Sequence, residues 1–149
     1  SDVCSSDLAR KRVIELVQRD LSEDLKSKKI AVLGAAFKPD SDDVRDSPAL
    51  DIAIQIQAAG ANVVIHDPKA IEPARKRFPA LNFVTTIDEA LKDAEIVLHL
   101  TEWKIYREID PVKAKSLVAK PIIIDGRNAL DRKKWKDAGW HFRALGVTE

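Results

Sequence analysis

The chain has a single cysteine, Cys4, which excludes an internal disulfide framework and a CxxC metal or redox site. Neither sign of charge dominates. The net charge is +1 and no stretch is mainly basic, so the electrostatic footprint of a nucleic-acid binder is missing. Long hydrophobic runs are missing too: the longest, such as residues 30–37, are far too short to span a bilayer, and nothing resembles a secretory h-region. There are no internal repeats. Glycine is scarce where a nucleotide-binding protein usually needs it. Residues 34–48 read GAAFKPDSDDVRDSP, a loop between an apolar strand and a helix with one glycine at its start.

What is present describes an ordinary globular chain. With 149 residues, 45% hydrophobic and 33% charged, it can build one domain with a sizeable core but not two. The expectation is a cytosolic α/β domain, with no nucleic-acid and no membrane partner.

From residue 29 short apolar strands alternate with helical segments. Strands are predicted at 30–33, 62–65, 82–84, 95–98 and 121–124, with a probable edge strand at 140–143. Helices are predicted near 48–59, 69–77, 87–92, 110–118 and 131–137. The strand at 30–33 is apolar without alternation, as parallel strands covered on both faces tend to be. This βα alternation predicts an open, doubly wound parallel sheet, Rossmann-like, in three α/β/α layers. Residues 50–56 have a period of two, which suits a strand, but Ser47, Pro48 and Gly60 are helix end signals and favour a helix with Leu50, Ile54 and Ala58 on one face. Residues 9–27 form a separate amphipathic helix through Val13, Val17, Leu21 and Leu25, expected to lack a partner in so short a domain. Residues 1–8, SDVCSSDL, fit neither part and are read as a non-native leader, which leaves Cys4 no nucleophile role.

Ligands of open parallel sheets bind beyond the carboxyl ends of the strands. That rule selects residues 34–47, 66–68, 100–103 and 125–128, which between them supply three cations, Lys38, Arg45 and Arg127. Arginine suits bidentate phosphate contact and lysine a compact point charge. A solvated reading stands beside this one. The 34–48 loop carries Asp40, Asp42, Asp43 and Asp46 and is net −2, so its cations can equally be exposed ion pairs worth little.

Three other readings are weaker. As a calcium loop counted from Asp40, positions six and twelve would be Arg45 and Asp51 rather than glycine and glutamate, so no metal is expected. Asp67 ends the second strand, where a dinucleotide fold places its ribose acid. The accompanying G-x-G-x-x-G fails at Ala36 and Pro39, so Asp67-Pro68 reads as a turn. His66, His99 and His141 have no paired nucleophile and read as structural, as does Glu102-Trp103. Asp125-Gly126-Arg127 is more specific, because a glycine between charges permits an unusual backbone that aims Arg127 across the strand ends.

Four signatures in order, KKIAVLGAAFKPDSDDVRDSP at 28–48, HDP at 66–68, LTEW at 100–103 and IDGRNALD at 124–131, make residues 28–149 resemble the C-terminal domain of the UDP-glucose 6-dehydrogenase family. LTEW and DGRN together favour that branch over its GDP-mannose relative. The resemblance implies an enzyme that oxidises UDP-glucose to UDP-glucuronate, passing two hydrides to two NAD⁺ through a cysteine thioester. It implies that Phe37, Lys38 and Arg127 contact the UDP-sugar, and that Arg45 reaches NAD held by another domain. It further implies a cytoplasmic homodimer, with the 9–27 helix as the link from a central domain. The NAD fingerprint and the catalytic cysteine motif belong to domains this chain lacks, so no catalytic residue is expected here and the chain alone is predicted to be inactive. Two alternatives remain, the same domain of a UDP-N-acetylmannosamine-type dehydrogenase and a stand-alone, non-catalytic nucleotide-binding module.

Overall fold

The computed structural model describes residues 11–19, 26, 28–35, 48–101, 103–126 and 130–144. Among them six strands form one sheet: β1 (Lys29–Leu33), β2 (Asn62–His66), β3 (Asn82–Val84), β4 (Ile96–His99), β5 (Ile122–Asp125) and β6 (His141–Ala144). Every pairing is parallel and the order is β3-β2-β1-β4-β5-β6. The fold is thus an open Rossmann-like sheet, the architecture expected from the sequence.

The strand residues explain the arrangement. Ile30 to Leu33 and Ile96 to Leu98 are essentially inaccessible on both faces, which only a covered parallel sheet allows. Six helical segments follow residues 11–19 (α1): α2 (Pro48–Ala58), α3 (Ile71–Arg77), α4 (Ile87–Leu91), α5 (Lys104–Arg107), α6 (Pro111–Leu117) and α7 (Arg132–Asp137). On one face α4 packs on α6 and α6 on α7. Right-handed crossovers send α2 and α3 to the other. Side chains set the helix starts: Thr86 accepts from the Glu89 amide at 3.1 Å, Asp110 from Val112 at 3.0 Å and Asp131 from Lys134 at 3.2 Å.

Three expectations need correction. The helix at residues 11–19 does have a partner, because Val13, Leu16 and Val17 are 1%, 3% and 0% exposed within the common core; Leu21 and Leu25 lie outside the described residues. In α2 the buried face is Ala49, Ile52, Ala53 and Ile56, joined by Leu50, while Ala58 is exposed. The i, i+3, i+4, i+7 spacing from Ala49 wins over the 50/54/58 row because it brings two small alanines against the sheet. The helix predicted from residue 69 begins at Ile71, since the Lys69 and Ala70 amides are taken by the Asp67 carboxylate.

Candidate functional site

In the order β3-β2-β1-β4-β5-β6 the chain direction across the sheet reverses between β1 and β4, the switch point beyond whose carboxyl ends open α/β sheets form their ligand crevice. Gly34 and Ala35 leave β1 there, and Leu100 and Thr101 leave β4. Gly34 has φ +109°, and a Cβ on it would sit 2.4 Å from Thr101 Cβ and 2.7 Å from the Thr101 amide nitrogen. The glycine therefore serves close approach of two backbones as well as an unusual turn. Its amide donates to the His66 carbonyl at 2.7 Å, and the Leu100 amide to the Leu33 carbonyl at 3.0 Å, so the ends of β1, β2 and β4 are tied together.

Under this crevice lies Asp67, 2% exposed. Its Oδ2 accepts from the Ala35 amide at 2.8 Å and from Trp103 Nε1 at 3.1 Å. Its Oδ1 accepts from the Lys69 and Ala70 amides at 2.8 and 2.7 Å. A carboxylate has about four lone-pair sites, and among the described residues four donors from the ends of three strands bind there. The acid that could have held a ribose is turned inward. Together with the single, packed Gly34, this means that the described residues do not fit a dinucleotide cradle of the usual kind.

The last residues of the strands form a row. Leu33 is in register with His66 on one side and His99 on the other, and His99 with Asp125. Tyr106, brought over this row by α5, is fully buried and meets both imidazoles edge-on, at 5.6 and 5.8 Å between ring centroids. Its hydroxyl donates to the His66 carbonyl at 2.9 Å and lies 2.8 Å from His66 Nδ1. Burial pushes the tyrosine hydroxyl far up, Asp67 adds to this, and the Gly34 amide partly offsets it. Burial likewise pushes His66 down, with Asp67 opposing. The imidazole thus stays neutral, placing its proton on Nδ1 facing the tyrosine oxygen.

A histidine lowered in the folded state contributes stability that is complete above its ordinary value of 6.5 and is lost as pH falls through the lowered value, because the unfolded chain takes up the proton first. The melting temperature should therefore decline from pH 7.5 towards 5.5. His66→Asn keeps a donor near Tyr106 without titrating, and should flatten that decline in thermal melts; an unchanged slope would remove His66 from the account.

At the far side of β4, His99 Nδ1 lies 2.8 Å from Asp125 Oδ1, and the Leu130 amide donates to Asp125 Oδ2 at 2.8 Å. The Gly126 amide donates to the His99 carbonyl at 2.9 Å, and a Cβ on Gly126 would lie 2.9 Å from Leu100 Cδ2. Gly126 and Leu130 are thus tied to the ends of β4 and β5.

Of the residues expected at the site, Phe37, Lys38 and Arg45 fall within 36–47 and Arg127 within 127–129, both outside the described residues. The structure describes their anchors, Ala35 and α2 for the first segment, Gly126 and Leu130 for the second. β1 and β5 flank β4, so the two segments leave the sheet roughly 10 Å apart, twice the usual strand spacing. Among the described residues no three His, Cys, Asp or Glu side chains gather as a metal site, and no helix is long and apolar enough to cross a membrane. The sequence reading missed Tyr106 and the buried carboxylates' roles. Asp67 gave the available signal, an acid ending the second strand.

Residues 31–132 match the model of the UDP-glucose/GDP-mannose dehydrogenase family, UDP binding domain. The chain is 39% identical over 123 residues to UDP-glucose 6-dehydrogenase TuaD of Bacillus subtilis, covering 82% of this chain and 27% of that protein. It is 37% identical to UDP-glucose 6-dehydrogenase of Rhizobium meliloti, covering 83% and 28%. Among solved structures it resembles a UDP-glucose dehydrogenase from Pyrobaculum islandicum, with a TM-score of 0.77, 29% identity and coverage of 92% of this chain and 29% of that one. The chain thus spans little more than a quarter of the length of the curated relatives it matches. With a family match over most of its length and a switch-point crevice in the corresponding fold, the chain belongs to the UDP-glucose/GDP-mannose dehydrogenase family, within its UDP-binding domain.

Proposed function

We propose that the chain is the C-terminal, UDP-binding part of a UDP-glucose 6-dehydrogenase that oxidises UDP-glucose to UDP-glucuronate with NAD⁺. The observation that carries this is the extent of the family match. Residues 31–132 include both segments that leave the sheet beside the β1/β4 crevice, and with them Phe37, Lys38, Arg45 and Arg127. UDP-glucose as the substrate is supported by the similarity to two UDP-glucose 6-dehydrogenases.

In this reading Lys38 and Arg127, in the segments that follow β1 and β5, contact the diphosphate. Lysine supplies a point charge and arginine a two-toothed contact to phosphate oxygens. Phe37 packs on the nucleotide-sugar, and Arg45 reaches NAD⁺ that is held mainly by a domain outside these residues. NAD⁺ supplies the hydride acceptor when bound; the residues of this chain bind and orient the substrate. They carry no catalytic nucleophile, and the 149-residue chain by itself does not oxidise UDP-glucose. The whole enzyme is a cytoplasmic homodimer, and residues 9–27 link it to a central domain.

Calorimetric titration with UDP tests the residue roles. Lys38→Ala and Arg127→Ala should each weaken binding about ten-fold or more, the worth of one charge-assisted contact. Equal binding by the parent chain and both variants would overturn the assignment.

A further inference from the structure

The geometry points to His99 as a positioning residue for the Arg127 segment, acting through Asp125. This rests on the proposed role of Arg127 at the nucleotide. The first three residues of β4, Ile96, Val97 and Leu98, are buried aliphatics; the fourth, equally buried, is a histidine. Leucine would suit that place as well by packing alone. Among the described residues the imidazole instead leaves Nε2 without a hydrogen-bond partner, which burial makes unfavourable. What it gains is at the other nitrogen. Nδ1 lies 2.8 Å from Asp125 Oδ1, holding the carboxylate so that Oδ2 faces the Leu130 amide at 2.8 Å.

The same histidine also fixes the near end of the segment, since its carbonyl accepts from the Gly126 amide at 2.9 Å. Backbone and side chain of one residue thus act on Gly126 and Leu130, the described residues on either side of Arg127-Asn128-Ala129. Tyr106 completes the arrangement by meeting the imidazole edge-on at 90°, which restricts ring rotation. His99 itself is fully buried and cannot reach a ligand. Its influence on binding passes through Asp125 and the segment that Asp125 closes.

Asparagine places its amide near the position of Nδ1, and glutamine near that of Nε2. His99→Asn should therefore retain the bond to Asp125, whereas His99→Gln and His99→Leu should lose it. In native-state amide exchange, Leu130 should exchange about ten-fold faster relative to Ile123 and Ile124 in His99→Leu and His99→Gln, and near the parent rate in His99→Asn. UDP affinity should follow the same order, falling about ten-fold in the first two and being restored in the third. If His99→Leu fails to fold, the Asn and Gln variants carry the same comparison. Equal exchange and affinity in all variants would overturn the inference. So would a loss in His99→Asn as large as in His99→Leu, because the ring would then matter only for packing. Absence of UDP binding by the parent chain would count against the proposed function alone, with amide exchange still deciding the role of His99.

Discussion

Gly34→Ala is expected to destabilise the domain strongly. The φ of +109° is one that residues with a Cβ rarely adopt, and the added carbon would sit 2.4 Å from Thr101 Cβ, 2.5 Å from its Oγ1 and 2.7 Å from its amide nitrogen. Thr101 has little room to retreat. Its amide lies 3.3 Å from the Leu33 carbonyl and its side chain is completely buried. Left-handed strain of about 1–2 kcal/mol and overpacking of about 1–3 kcal/mol together make roughly 2–5 kcal/mol. Against a total domain stability of about 5–15 kcal/mol, that is a large share. A chain of this size should lose about 6–15 °C of melting temperature, measurable by calorimetry or circular dichroism. A loss below about 1 kcal/mol would mean that β1 and β4 do not approach as described.

Asp67→Ala should be comparably severe for a different reason. Truncation removes the carboxylate acceptor of the Ala35 and Ala70 amides and of Trp103 Nε1, all buried bonds, while the Lys69 amide is nearer to solvent. Each unsatisfied buried donor costs about 1–3 kcal/mol, and because the four share one acceptor the total is less than their sum, roughly 3–5 kcal/mol. Asp67→Asn keeps the shape but points an amide N–H at donors on one side, and should cost about half as much. Urea denaturation of both variants checks this. Were Asp67→Ala nearly neutral, the carboxylate would be free for a ligand, as in a ribose-binding acid, and the inward hub would be wrong.

The sheet was legible because parallel strands buried on both faces are written as short unalternating apolar runs, KIAVL and IVLH among them. The helices expected near 87–92, 110–118 and 131–137 start where Thr86, Asp110 and Asp131 cap them in the structure. The α5 segment was not legible, since four residues carry no periodicity. Nor was the face of α2, where apolar residues outnumber those one face can bury. The site was half legible. Its segments follow from the rule that loops after parallel strands line the crevice, but the role of Asp67 depends on Ala35 and Trp103, 32 and 36 residues away in sequence. Tyr106 likewise meets His66 from 40 residues away. Local patterns cannot encode which donor a carboxylate will meet across three strands.

Together these features account for the loop GAAFKPDSDDVRDSP. Its one glycine is used to bring β1 against Thr101, and its neighbour Ala35 gives its amide to Asp67 rather than to a phosphate. Under the proposed function, recognition is then left to the cations of the segments beyond, and the domain takes the nucleotide-sugar and not the dinucleotide. The most direct test is parallel calorimetric titration of the 149-residue chain with UDP and with NAD⁺ under identical conditions. The account predicts saturable binding of UDP and no measurable binding of NAD⁺ at the same concentrations. Binding of NAD⁺ as tight as that of UDP, or no response to UDP, would contradict it.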